Sequence, residues 1–253
     1  MRIISCFSGL LFLAVSMVSC HRSGLVAEEV EQNFSVALEE GSADSLHVDI
    51  MLEWPVKGLR SEALHNIRKD IVSEVFGYQG TSEDVRASLG LYLSMLEDRY
   101  RKENYDLKKM LDKEGIGGGV FSWDEMIDGS FLEPYEDMQS YLLYRYEYTG
   151  GAHGIDFEKG LTFNIKDGRS IKEEDLFSRD YKVELSRLLT ARLPESVSKD
   201  VYDILFVKTL EPNGNFYVTP AGVTYIYGRY EVGPYVLGII RVTLPWGDLE
   251  GLR

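Results

Sequence analysis

Residues 46–54 constrain the fold more than any other part of this chain. Leu46, Val48, Ile50, Leu52 and Trp54 alternate with His47, Asp49, Met51 and Glu53. A period of two over nine residues describes a strand and is incompatible with a helix. Pro55 is expected to end it. Beyond the proline the period becomes helical. Ser61 is placed to cap a helix with Leu64, Ile67, Ile71, Val72 and Val75 on one face, stopped at Gly77. Ser82 then opens a longer helix striped by Val85, Leu89, Tyr92, Leu93, Leu96 and Tyr100. Its charged far end, residues 101–114, is expected in solvent. The glycine run at 115–119 leads into Val120-Phe121-Ser122-Trp123 with no lysine-serine/threonine pair, so it reads as a connector and not as a phosphate loop.

Further strands are expected at 30–38, around 120–128 with a turn at Asp128-Gly129, at 139–148 and at 161–165. In the strand 139–148, Leu142, Tyr144, Tyr146 and Tyr148 share one face. Lys166-Asp167-Gly168-Arg169 is a tight turn. Ser170 with Glu173 has the spacing of a capping box for a short helix through Phe177. A helix at 181–193 should turn Val183, Leu185, Leu188 and Leu189 inward, with Pro194 beyond its end. Strands at 216–219, 223–230 and 235–244 complete a C-terminal meander. Grouped strands and helices, in place of strict alternation, argue for an α+β fold with a mainly antiparallel sheet, packed helices and two closely associated subdomains. The expected division is 30–147 and 148–253.

The N-terminus speaks to location. A short positive start precedes an apolar run that stops at Met17-Val18-Ser19-Cys20, the pattern of a signal segment over residues 1–19. The small residues before Cys20 resemble a bacterial lipobox, which would make Cys20 an acylated first residue, with 20–29 as a tether. His21 in place of an aspartate at the next position favours outer-membrane sorting in a host that has one, and the anchor is otherwise in the cell membrane, with the face, periplasmic or surface, left open. Localisation is then extracytoplasmic, with the membrane reached through the lipid on Cys20. With Cys6 removed and Cys20 acylated, the remaining body holds no thiol for a disulfide, a zinc knuckle or a nucleophile. The formal net charge is −14, from 27 Lys+Arg against 41 Asp+Glu. A surface this acidic repels nucleic acid and attracts basic partners at low salt.

Three stretches carry a resemblance: "YTGGAHG" at 148–154, "LTFNIKDGRSIKEEDLF" at 161–177, and "NFYVTPAGVTYIYGRYEVGPYVLGIIRVTLP" at 215–245. In this order and spacing they resemble the RsiV-like domain family, the extracytoplasmic part of a lysozyme-sensing anti-sigma factor. That domain of unknown function recurs in bacterial lipoproteins and beside some peptidoglycan deacetylase domains. Residues 30–147 are similar to the helix-bearing domain that usually precedes it. The resemblance implies a binding module for a secreted glycan hydrolase, with no established catalytic residues. The chain departs from that sensor in having a lipobox-like cysteine where the sensor has a membrane helix, and in showing no sigma-binding segment.

Candidate site residues are Tyr148, Gly150, Gly151, His153 and Tyr235. The glycines allow a sharp turn out of the strand, and His153 could donate to a buried carbonyl and lock it. As a general base His153 would need an acidic partner, for which Asp156 is near in sequence. That is the rival reading, a hydrolase of envelope glycans; no catalytic residue is assigned. The four histidines show no metal-ligand spacing, so no metal and no cofactor are expected. The acidic runs at Glu133, Glu136, Asp137 and at Glu173, Glu174, Asp175 read as solvated faces. Of the sixteen tyrosines, Tyr235 after Pro234 is expected to project outward. A third reading is a purely structural lipoprotein without a ligand-sized cleft. The preferred one is a non-catalytic module that binds a basic protein, such as a muramidase, or a peptidoglycan-related ligand.

Overall fold

The structure, a computed structural model, describes residues 24–77, 84–115, 121–178 and 180–253, with the backbone of Ser19–Cys20. Residues 1–18, Ser82, residues 116–120 and the side chain of Cys20 lie outside the described residues, and with them the signal segment, the acylation and most of the glycine run.

Six strands form the first sheet in sequence order: β1 (Ser19–Cys20), β2 (Val26–Ala37), β3 (Ser45–Lys57), β4 (Trp123–Phe131), β5 (Met138–Tyr148) and β6 (Ile155–Asn164). All neighbours pair antiparallel except β3 and β4, which run parallel. A parallel pair needs a long crossover. Here it is α1 (Ser61–Phe76) and α2 (Val85–Glu114), both against the sheet face that bears Leu46, Val48, Ile50 and Leu52. α1 buries Leu64, Ile67, Ile71, Val72 and Val75 as expected, and Gly77, at φ 66°, closes it with its N–H on the Ser73 carbonyl. The residue ahead of α1 is Arg60, with no side-chain cap. Asp84 serves α2, accepting from the backbone of Arg86 and Ala87.

The second sheet is a meander of β7 (Phe216–Thr219), β8 (Gly222–Tyr227) and β9 (Ile240–Leu244), covered by α4 (Tyr181–Ser196). The short helices α3 (Glu173–Leu176) and α5 (Lys199–Asp203) flank α4. The fold is therefore α+β with two mainly antiparallel sheets. The two sheets meet where β7 crosses β5 and β6. Ser140 Oγ donates to the Val218 carbonyl and accepts from the Val218 N–H, both at 2.9 Å. Gly160 lies under Phe216 so closely that a β-carbon there would stand 2.5 Å from the Phe216 carbonyl carbon. Asn215 completes the joint, its side chain accepting from the Gly160 N–H and donating to the Glu158 carbonyl.

Several expectations change. β2 begins at Val26, inside the expected tether, because Leu25, Val26 and Ala27 are buried. β3 runs through Pro55, which sits opposite Ala27 beside a register shift where no ladder N–H is required. Asp128-Gly129 is mid-strand and not a turn; glycine is there because the Tyr141 ring of β5 occupies the space of a side chain. β6 begins at Ile155 and not at 161. The 147/148 boundary falls within the β5–β6 hairpin, and the change of sheet comes between Asn164 and Phe216.

At the start of α3 the Asp175 carboxylate accepts from the Lys172 backbone N–H at 2.9 Å, while the Ser170 hydroxyl donates to Asp70. Glu173 is neither a cap nor solvated: it is buried and accepts from Tyr181 Oη and the Gly214 N–H, each at 3.0 Å. Pro194 lies inside the last turns of α4, and Val183 is exposed. Finally, β8 stops at Tyr227 and β9 starts at Ile240. Residues 228–239 form a loop containing a 3₁₀ turn, Tyr235–Leu237, and Tyr230 at φ 65° leaves strand geometry altogether.

Candidate functional site

The loop leaving β5 is built on two left-handed glycines, Gly150 at φ 97° and Gly151 at φ 93°. Tyr148 Oη donates to the Gly151 carbonyl at 3.0 Å and holds the turn from outside. Gly154 has no room for a side chain, since a β-carbon would stand 2.5 Å from Tyr146 Cζ. The chain is thereby delivered into β6 with Asp156 opposite Tyr146.

Asp156 meets Arg229, which comes from the loop after β8. The guanidinium engages both carboxylate oxygens, Nε to Oδ1 and Nη2 to Oδ2, the latter at 2.9 Å. Both side chains are largely buried. The bidentate carboxylate raises the Arg229 pKa further. The remaining nitrogen, Nη1, donates to the Tyr235 carbonyl, and the guanidinium carbon sits 4.1 Å from the centre of the Tyr235 ring. Tyr235 Oη donates to the Gly154 carbonyl. His153 stacks on the same ring, centroids 4.0 Å apart and planes 24° apart. Burial first, and then the Asp156 charge, push the Tyr144 pKa up. Asp156, Arg229, Tyr235, Gly154 and His153 thus form one knot joining the β5–β6 turn to the 228–239 loop.

Two expectations need correction here. His153 is exposed and packs by stacking on Tyr235, and among the described residues it makes no hydrogen bond to a buried carbonyl. Tyr235 does not project freely: it is half-buried and holds the knot together. Asp156, the sequence neighbour considered as an acidic partner for His153, is given to Arg229. The candidates Tyr148, Gly150, Gly151, His153 and Tyr235 are nevertheless brought together, where the 228–239 loop packs on the β5–β6 turn. Arg229 was missed, because its partner is 73 positions away.

Next to the knot is an apolar apex that sequence reasoning also missed. The N–H groups of Phe206 and Val207 both donate to the Val232 carbonyl, at 2.9 and 3.2 Å, which draws the segment after α5 alongside the 228–239 loop. Phe206 (67% exposed), Val236 (78%) and Tyr230 (58%) face water there, with Ile204 and Val207 also exposed. The Tyr230 ring lies 5.8 Å from that of Tyr235. Adjacent exposed apolar side chains of this size mark interaction sites more often than isolated ones do. The apolar run Ile204-Leu205-Phe206-Val207 was the available signal. A hollow of about 730 Å³ is lined by residues of β2, β3, β4 and α2, Asp49 and Asp124 among them, and by no residue of the knot.

Among known proteins, residues 174–247 match the family described as Protein of unknown function (DUF3298). The DUF3298 segment spans α3 to the turn after β9, so it contains Phe206, Arg229 and Tyr235 but not His153 or Asp156. No curated protein matches the chain. A crystal structure of a DUF3298 family member from Bacteroides fragilis has a TM-score of 0.79 at 22% identity, covering 96% of this chain and 94% of that one. A DUF3298 family protein from Pseudomonas aeruginosa has a TM-score of 0.58 at 15% identity, covering 88% and 93%. These likenesses establish the shared fold. Among the described residues no helix is long and apolar enough to cross a membrane.

Proposed function

We propose that the protein is a non-catalytic, RsiV-like binding module of the bacterial cell envelope, anchored through acylated Cys20. Its recognition end is the knot with the adjoining apex. The observation that carries this reading is the assignment of side chains in the knot. Asp156 is neutralised by Arg229 and is therefore not available to orient the histidine as a base. Every polar group of the knot except the imidazole is spent on holding the loops rigid. A rigid loop presenting Tyr230, Val236 and Phe206 suits a contact surface, because ordered aromatic and aliphatic anchors lose little entropy on binding. The ligand is a protein or a cell-wall component, with a basic muramidase preferred on the strength of the acidic charge and the resemblance of the three C-terminal motifs.

The test is a titration of the purified protein with lysozyme and with soluble peptidoglycan fragments. Binding to either is expected, and replacing Phe206→Ser together with Val236→Ser should weaken it about tenfold or more at unchanged melting temperature. Binding that is indifferent to both substitutions would remove the apex from the account.

A further inference from the structure

The first sheet has a second face, opposite α1 and α2, and the register spells out what it carries. Four rows cross it. Ser35, His47, Asp124 and Tyr148 stand side by side on β2 to β5; next come Asn33, Asp49, Met126 and Tyr146; then Glu31, Met51, Asp128 and Tyr144; then Glu29 opposite Glu53, with Leu142 further along on β5. These rows hold six carboxylates and no lysine or arginine. Asp49, Asp124, Met51 and Met126 are exposed. Glu29 and Glu53, directly opposite on adjacent strands, are a like-charge pair, which weakens a sheet instead of strengthening it. Burial raises the Asp128 pKa, and the nearby charges of Glu53 and Glu29 raise it further, so the carboxylates do act on one another.

The contrast with β6 is informative. Asp156 and Glu158 lie on this same face, and each is matched by an arginine of the second sheet or its loops, Arg229 and Arg241. Where the molecule itself covers the face, it supplies the cations. The second sheet packs on β5 and β6, and over β3 and β4 no lysine or arginine among the described residues pairs with Asp49 or Asp124; Glu53 instead accepts from the Phe131 N–H and Glu31 from the Asn33 side chain. Between the two regions runs the band Tyr144, Tyr146, Tyr148, which leads directly to the knot through Tyr146 and Gly154.

We propose that this sheet face is a docking surface for a cationic protein, whose lysines and arginines meet the exposed carboxylates Asp49 and Asp124 while their aliphatic stems pack on Met51, Met126 and the tyrosine band. Charge complementarity selects the occupant: the internal precedent at β6 is arginine on carboxylate, and tyrosine and methionine accept cationic side chains well. The inference rests on the reading of the chain as a binding module, and it enlarges the recognition surface from the apex to the sheet.

The experiment measures binding of lysozyme, and of cytochrome c as a second basic protein, to the purified full chain at about 50 mM salt. Asp49→Lys with Asp124→Lys reverses two exposed charges on the face. Glu103→Lys with Asp106→Lys makes the same change in net charge on the exposed side of α2. The face variant should bind at least one of the two proteins about tenfold or more weakly, and the α2 variant within about threefold of wild type. Equal losses in the two variants would mean that only net charge acts, and would overturn the proposal, as would no loss in either or no binding by the wild type. Binding of spermine by the wild type, with neither protein bound, would overturn it too. The Phe206→Ser, Val236→Ser variant separates the two readings. If only that variant loses binding, the sheet face is excluded and the apex stands; if only the face variant does, the apex is excluded and the sheet face stands.

Discussion

Gly160→Ala should separate the two sheets more effectively than any other single methyl group. A β-carbon at this position would stand 2.5 Å from the Phe216 carbonyl carbon, whereas real β-carbons keep about 3.0 Å or more, so β7 must retreat by at least half an ångström. The obstacle is backbone in a paired strand, which cannot rotate away. The retreat also pulls on the Ser140–Val218 pair and on the Asn215 side chain, which bond the same crossing. Overpacking of this kind costs about 1–3 kcal/mol, and one strained buried hydrogen bond adds about 1 kcal/mol, giving about 2–4 kcal/mol. For a chain of this size that lowers the melting temperature by roughly 4–16 °C. Gly90→Ala is the matched control, since nothing lies within 4 Å of its added carbon and it sits inside α2. It should stabilise by about 0.5–1 kcal/mol. Circular dichroism melts of the two variants decide the matter. A Gly160→Ala protein as stable as wild type would refute the crossing as described.

Other outcomes depend on the same packing. Tyr141 is fully buried and its hydroxyl has no hydrogen-bond partner among the described residues, so Tyr141→Phe should be neutral or stabilise by about 1 kcal/mol in urea denaturation. Arg229→Gln and Asp156→Asn should each cost about 1.5–3 kcal/mol, and the double variant should cost less than their sum, a coupling read from a double-mutant cycle. Glu125 is buried under Tyr92, which donates to it, with Arg145 at 3.7 Å; burial raises its pKa despite both partners. The folded chain therefore holds that proton more tightly than the unfolded chain, and stability from this group falls as pH rises above the ordinary glutamate value. Glu125→Gln cannot titrate, so its stability relative to wild type should rise between about pH 4 and about pH 7. A fall in the variant's stability relative to wild type over that range would contradict the sign.

What could be read from the sequence was whatever depends on one element at a time. The alternation at 46–54 and the stripe Leu64, Ile67, Ile71, Val75 specify β3 and α1, because each is set by a single buried face. What could not be read depends on a partner distant in sequence. Gly129 looks like a turn until Tyr141 is known to lie over it, and Pro55 looks like a stop until the register shift at Val26/Ala27 is known. Glu173 reads as a cap by spacing, but Tyr181 and Gly214 draw its carboxylate inward. At the candidate site, the glycines Gly150 and Gly151 do make the sharp turn their sequence suggested, but His153 stacks on Tyr235 instead of locking it. The role of Tyr235 was hidden because Arg229 and Asp156, which fix it, come from opposite sides of the sheet junction.

The most direct test of the central claim is to replace His153→Ala and follow three quantities on one preparation: peptidoglycan turnover, binding of lysozyme, and melting temperature. A binding module predicts no turnover in either protein, with binding weakened in the variant or left unchanged and only a modest loss of stability as the stack on Tyr235 is removed. Turnover by the wild type that disappears in the variant at an unchanged melting temperature would make the histidine catalytic and contradict the account.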